Sequence, residues 1–291
     1  MMPHTYSRRL KSISFFLIFI LTFEILFSSA EWFAYGDTNA TDTKESSETL
    51  PNDLSKSKVL EKGTDYTIFK NPDGTRSMDV YQADVRTQDE NGELEDIDNS
   101  IKKTDEEGKT VYRNQNGFAD ITLPETITKE NPVQLEEKRN KVSFYPVGKE
   151  ENTTLEMDKT IQEKTENLYY KTQEETTGIR YVGGDAAVQY EYFPTDFGLK
   201  ENIVLKRKPE VNQFRFILQC RGRYLEKEHR AILIRDNETK KVKGVLSEPF
   251  MTDASDSENQ GFSEAAEYDY TVIDSDKGIY EVILTVSEDY L

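Results

Sequence analysis

This chain has 291 residues, with 55 acidic against 37 basic side chains and a formal charge of −18. Such a balance repels nucleic acid and anionic membrane faces, which excludes both as direct partners. Two histidines and one cysteine exclude a disulfide framework within the chain and leave almost no soft ligand for zinc.

Residues 1–30 read as a secretory signal peptide. Arg8, Arg9 and Lys11 form a basic region, and Ile13 to Phe27 form an apolar one interrupted by Glu24. Ser28-Ser29-Ala30 supplies the small residues a signal peptidase accepts, so the mature chain is expected to start near Glu31. Its removal takes away three basic residues and one acid, leaving 34 against 54 and a charge of −20. No second apolar stretch approaches the ~20 residues that span a bilayer. The expectation is a secreted protein, extracellular or cell-wall associated, with no membrane insertion after cleavage. Export with Cys220 as the lone thiol fits a Gram-positive bacterial surface.

Residues 31–58 are rich in Ser, Thr, Asp and Glu and lose apolar periodicity after Tyr35; they are expected to be a disordered polar spacer. Residues 59–148 are predicted to form an N-terminal β lobe. Tyr66 and Ile68 lead into the turn Asn71-Pro72-Asp73-Gly74, and acidic turns recur at Asp89-Glu90-Asn91-Gly92 and Asp105-Glu106-Glu107-Gly108. Lys141 to Tyr145 reads as a further strand. Residues 149–176 are highly charged; Leu155, Ile161 and Leu168 leave room for a short helix, and the segment is read as a surface insertion or a joint between lobes.

Residues 177–291 are predicted to form a C-terminal β lobe around the longest alternating run, Gly178 to Cys220. Ile203 and Leu205 share one face, with Asn202 and Lys206 on the other. After Lys208-Pro209-Glu210, Phe214, Phe216, Leu218 and Cys220 share a face, with Gln213, Arg215 and Gln219 opposite. Two such runs around a proline connector predict an antiparallel hairpin with one wet face. Closing strands carry Tyr268, Tyr270 and Val272, then Tyr280, Val282, Leu284 and Val286, around a turn at Asp274 to Gly278. The fold class is therefore all-β, with antiparallel sandwich-like or meander sheets in two lobes.

Candidate chemistry is sparse. His229 stands alone once His4 leaves with the signal peptide, and Cys220 lies on an apolar face as an inert thiol. Asp253, Ser255, Ser257, Asn259 and Glu264 have calcium-loop spacing, but Glu258 stands where the sharp turn needs glycine, so 253–264 reads as a polar loop or a weak divalent-cation site. No catalytic, cofactor-binding or metal residue is assigned, and no cofactor is expected.

Three stretches in order carry a family resemblance: Phe69 to Thr75 with Val80-Tyr81 and Asp89 to Asn99; Gly198 to Leu205 followed by Phe214-Arg215-Phe216; and Pro249 to Ala254 with the strands up to Tyr290-Leu291. Over roughly 59–291 the chain resembles the N-terminal β region of bacterial wall-associated Rhs/YD-repeat proteins and of related DNRLRE-domain surface proteins. Those proteins continue into long repeats, which this sequence lacks; the resemblance implies a truncated product or a free-standing copy, and it carries no catalytic residues.

The expected function is that of a non-enzymatic structural or interaction module, not an enzyme, whose partners are cell-wall components or other surface proteins. One alternative is a carbohydrate-binding module using exposed coplanar aromatics, with Tyr190, Tyr192 and Phe193 as the first candidates. Another is a glycoside or peptidoglycan hydrolase, which needs two acids facing each other in a cleft.

Overall fold

Turn chemistry sets the local structure, and long-range pairing assembles it. The computed structural model describes residues 11–18, 56–81, 84–89, 91–106, 108–137, 140–148, 154–167, 172–183, 185–253 and 265–291, with backbone alone for 11–18, 164–167, 172–175 and 253. Trp32, most of the spacer and residues 254–264 of the cation-like loop lie outside the described residues.

In chain order, β1 (Lys11–Ile18) is followed by β2 (Lys58–Lys62), β3 (Tyr66–Lys70) and β4 (Arg76–Val80). Next come β5 (Arg86–Gln88), β6 (Leu94–Asp96), β7 (Asp98–Glu106), β8 (Lys109–Asn116), β9 (Asp120–Pro124) and β10 (Thr126–Ile127). The middle of the chain holds β11 (Val133–Glu137), β12 (Asn140–Val147), β13 (Leu155–Asn167), β14 (Thr172–Val182), β15 (Val188–Thr195) and β16 (Gly198–Leu205). It ends with β17 (Gln213–Gln219), β18 (Arg223–Glu228), β19 (Ala231–Asp236), β20 (Val242–Leu246), β21 (Phe250–Asp253), β22 (Ala266–Asp274) and β23 (Ile279–Val286). Among the described residues there is no α-helix, and a short 3-10 turn stands at Glu288–Tyr290.

The predicted turns form where expected. Gly74 closes the β3–β4 turn at φ 86°, a backbone conformation that glycine adopts without a Cβ penalty. The Asn71 side chain braces that turn by donating to Thr75 Oγ1 at 3.0 Å. Gly278 closes the β22–β23 turn at φ 66°, and a Cβ there would meet the carbonyl of Cys220.

Two large antiparallel sheets dominate. One runs β22-β23-β17-β12-β11-β9-β8-β7; the other runs β10-β13-β14-β15-β16-β1-β20-β19-β18, with β21 paired to β1. Their inner faces enclose a single core that extends from Tyr112 to Val286. Phe144 of β12 meets Tyr192 of β15 at 5.8 Å between ring centroids, and Tyr190 meets Phe216 edge-on at 6.3 Å. Two smaller sheets, β2-β3-β4 and β5-β6, flank this sandwich. Buried Arg86 joins them, donating to the carbonyls of Gly63 and Tyr66, to Thr67 Oγ1 and to Asp96.

Three expectations change. The β16–β17 hairpin does not form: β16 pairs with β15 and β1, whereas β17 pairs with β12 and β23 in the opposite sheet. Both strands have an apolar face, and the connector carrying Pro209 crosses between sheets so that the two faces meet across the core. The short helix allowed in 149–176 is instead strand: Leu155 and Ile161 belong to β13, which pairs with β14 from Glu156↔Val182 to Asn167↔Thr172, and Leu168 lies outside the described residues. Finally, segments 59–148 and 177–291 interleave, because β12 of the first pairs with β17 of the second, Phe144 opposite Leu218.

Candidate interaction surface

The outer face of the larger sheet carries a concavity of about 370 Å³ over β13, β14 and β15. Register explains which side chains reach it. Tyr192 pairs with Glu201 and with Ile179 on the core side, so the alternate positions Arg180, Glu191 and Phe193 fall on the outer side. Lys159 joins them opposite Arg180, and Ile161 opposite Gly178. Gly178 is required here: a Cβ would clash with the Phe193 ring, which lies over the bare backbone as the floor of the concavity.

Two ion pairs rim this floor. Arg180 donates from Nε at 2.8 Å and from a terminal nitrogen at 2.5 Å to one oxygen of Glu191. Lys200 Nζ reaches both oxygens of Glu163, at 2.6 and 2.7 Å, and sits 5.8 Å from the Phe193 ring centroid. The Arg180–Glu191 pair is the more sheltered, with the Glu191 side chain 9% exposed. Two acids thus share one concavity, as a hydrolase requires, but each carboxylate is held by its own cation. Such a surface offers matched donors and acceptors to a polar ligand, with both lining carboxylates engaged by cations.

The most perturbed groups lie inside the sandwich. Glu201 is on the core face of β16, and burial holds its carboxyl well above the usual range. It accepts a 2.8 Å hydrogen bond from the Tyr192 hydroxyl. Burial likewise raises Tyr192 and Tyr268 well above the ordinary phenol value. A cavity of about 20 Å³ beside Glu201 is lined by Phe144, Leu199, Phe216 and Leu246, among others. Cys220 is fully buried, and desolvation pushes its thiol up to about 12 against the opposing pull of Arg223.

The aromatic trio singled out from sequence does not make a platform. Tyr192 is 0% and Phe193 2% exposed, and Tyr181 and Tyr192 meet at 67° rather than lying coplanar. Tyr190 and Tyr192 pack into the core, so cross-strand packing is their role. His229 sits on the exposed turn between β18 and β19 at φ 53°. Asp253 ends β21, and the rest of the cation-like loop is outside the described residues.

Sequence reasoning missed Glu163, Arg180, Glu191 and Lys200, because they come from four strands and meet only through register. Glu201 did leave a signal: it has the same parity as Ile203 and Leu205, so a charge stands at a core position of the alternation. Among the described residues no group of three or more His, Cys, Asp or Glu could hold a metal ion, and no helix is long and apolar enough to cross a membrane. No protein family, no curated protein and no solved structure matches the chain in comparisons with known proteins.

Proposed function

We propose that this chain is an exported, non-enzymatic surface module of a bacterial wall-associated system, like the N-terminal β region of the Rhs/YD-repeat and DNRLRE surface proteins it resembles. The observation that carries the reading is the pairing pattern on the outer face. Glu163 and Glu191 are each committed to a cation, over a rigid floor formed by Phe193 on Gly178. That arrangement favours holding a polar polymer over cleaving it. The carboxyl group that burial perturbs most, Glu201, is sealed between the sheets, away from any polymeric substrate. Wall glycan or its peptide is the ligand class, reached by an acidic protein that nucleic acid and anionic membranes repel.

The test is cosedimentation of the purified protein with isolated Gram-positive cell walls, with release of soluble wall fragments followed in the same tubes. Retention without release supports the module. Release of reducing sugar or peptide would replace it with the hydrolase reading, and protein left wholly in the supernatant would overturn wall binding.

A further inference from the structure

The central strand of the larger sheet comes from the segment read as a removable leader. β1 pairs with β16 along its whole length, from Lys11↔Leu205 to Ile18↔Gly198. On its other side it pairs with β21, from Lys11↔Asp253 to Ser14↔Phe250, and with β20 at Leu17↔Leu246 and Ile18↔Val245. Among the described residues β21 has no other strand partner. We propose that the slot between β16 and β20–β21 is a strand-acceptor site. Lys11–Ile18 fills it while the leader is attached, and after removal it takes an extended strand of a partner polypeptide with apolar residues at alternate positions. The proposal rests on the export reading given above.

Taking β1 away leaves an expensive gap. The edge of β16 loses its ladder beside Leu199, Ile203 and Leu205, which are 0–2% exposed. Buried backbone groups left without partners are rarely tolerated, and an open edge is a template for another strand. The gap does not close simply. β1 is antiparallel to both neighbours, so β16 runs parallel to β20 and β21. Direct closure would need parallel pairs, whereas every pair among the described residues is antiparallel.

The occupant follows from what remains. Between Glu31 and Lys56 the only apolar run is Trp32-Phe33-Ala34-Tyr35, too short for a slot of eight residues. A second copy has the strands of its described residues already committed to its own sheets. A strand from a different polypeptide meets the requirement. The register fixes its chemistry: positions opposite Leu199, Ile203 and Met251 must be apolar, as Leu17 and Ile13 are in the leader.

The test uses the full chain with a specific protease sequence inserted after Ala30, cut in the folded state. The probe is a fluorescent synthetic peptide of residues 9–20. The cut protein is expected to exchange its leader for this peptide, and the uncut protein is not. A Ser14→Pro peptide should be taken up roughly tenfold or more weakly, because Ser14 lies in ladders on both sides and proline removes the N–H. Equal uptake of both peptides, or none of either, overturns the proposal. So does a concentration-dependent dimer of the cut protein that excludes the peptide, which would make a second copy the occupant. Secreted protein whose N-terminus precedes Glu31 would instead overturn the removal of the leader, leaving the slot measurement standing.

Discussion

β16 and β17 carry nearly the same alternation and live in different surroundings. In β17 the pattern is honest about solvent: Phe214, Phe216 and Leu218 are buried, while Gln213 and Arg215 are exposed. In β16 both faces are shielded: Leu199, Ile203 and Leu205 point into the core, and Asn202, 6% exposed, points the other way. The difference lies in what covers each outer face. Alternation tells which residues share a side; it does not tell how wet that side is.

The comparison breaks first if the core side of β17 is wrong. Phe216 packs edge-on against Phe144 at 6.4 Å and against Tyr190. Phe216→Ala is expected to cost about 3–5 kcal/mol in urea unfolding, as large-to-small core changes do. Of the ~5–15 kcal/mol a domain has to lose, that is a large share, so the variant should melt early. A loss under about 1 kcal/mol would place this aromatic row outside the core.

Parity and turns were legible in the sequence because they are local. Asn71 to Gly74 and Asp274 to Gly278 fix their own backbone, and Cys220 shares the face of Phe216 whatever strand lies next to it. Partnership was not legible, because a strand's neighbours are set by contacts distant in sequence. Nothing in 206–212 distinguishes a connector that reverses within one sheet from one that crosses to another. The β13–β14 hairpin was hidden for a related reason: charged residues crowd its alternation, and its partner β10 comes from near Thr126. One register, β14 on β15, places Arg180 beside Glu191, but Glu163 meets Lys200 only through the registers of four strands, β13 to β16.

Asn202 sharpens the contrast at polar positions. Sequence parity places it with Lys206 on a wet face, yet it is buried opposite Glu191. Asn202→Ala should therefore cost about 1–3 kcal/mol, typical of disturbing a buried polar group. A change within about 0.5 kcal/mol would show that the outer face of β16 is as wet as the alternation implies.

Glu201 adds a pH dependence that β17 lacks. Its folded-state value is raised, chiefly by desolvation. Its contribution is therefore fully present below the ordinary carboxylate range and is lost as pH rises through the raised folded value. Relative to Glu201→Gln, which cannot ionise, the parent should lose stability with rising pH, by at most about 1.4 kcal/mol per pH unit for one proton. Parallel stability curves for the two proteins across pH 4–8 would mean that Glu201 is ionised in the folded state.

Arg215 should give the smallest effect. Its guanidinium reaches Glu281 across the β17–β23 pair at 2.9 Å, but its side chain is 47% exposed. Exposed ion pairs contribute about 0–1 kcal/mol, because water screens them and ordering two side chains offsets the gain. Arg215→Ala is expected to cost under about 0.5 kcal/mol, and molar salt should erase even that. The useful quantity is its ratio to Asn202→Ala, since the two residues hold equivalent positions in the alternation. A small ratio means the β16 outer face is covered and that of β17 is open. If Arg215→Ala cost as much as an Asn202→Ala loss of about 1–3 kcal/mol, both outer faces would be covered, and the sandwich would be the middle of a thicker assembly.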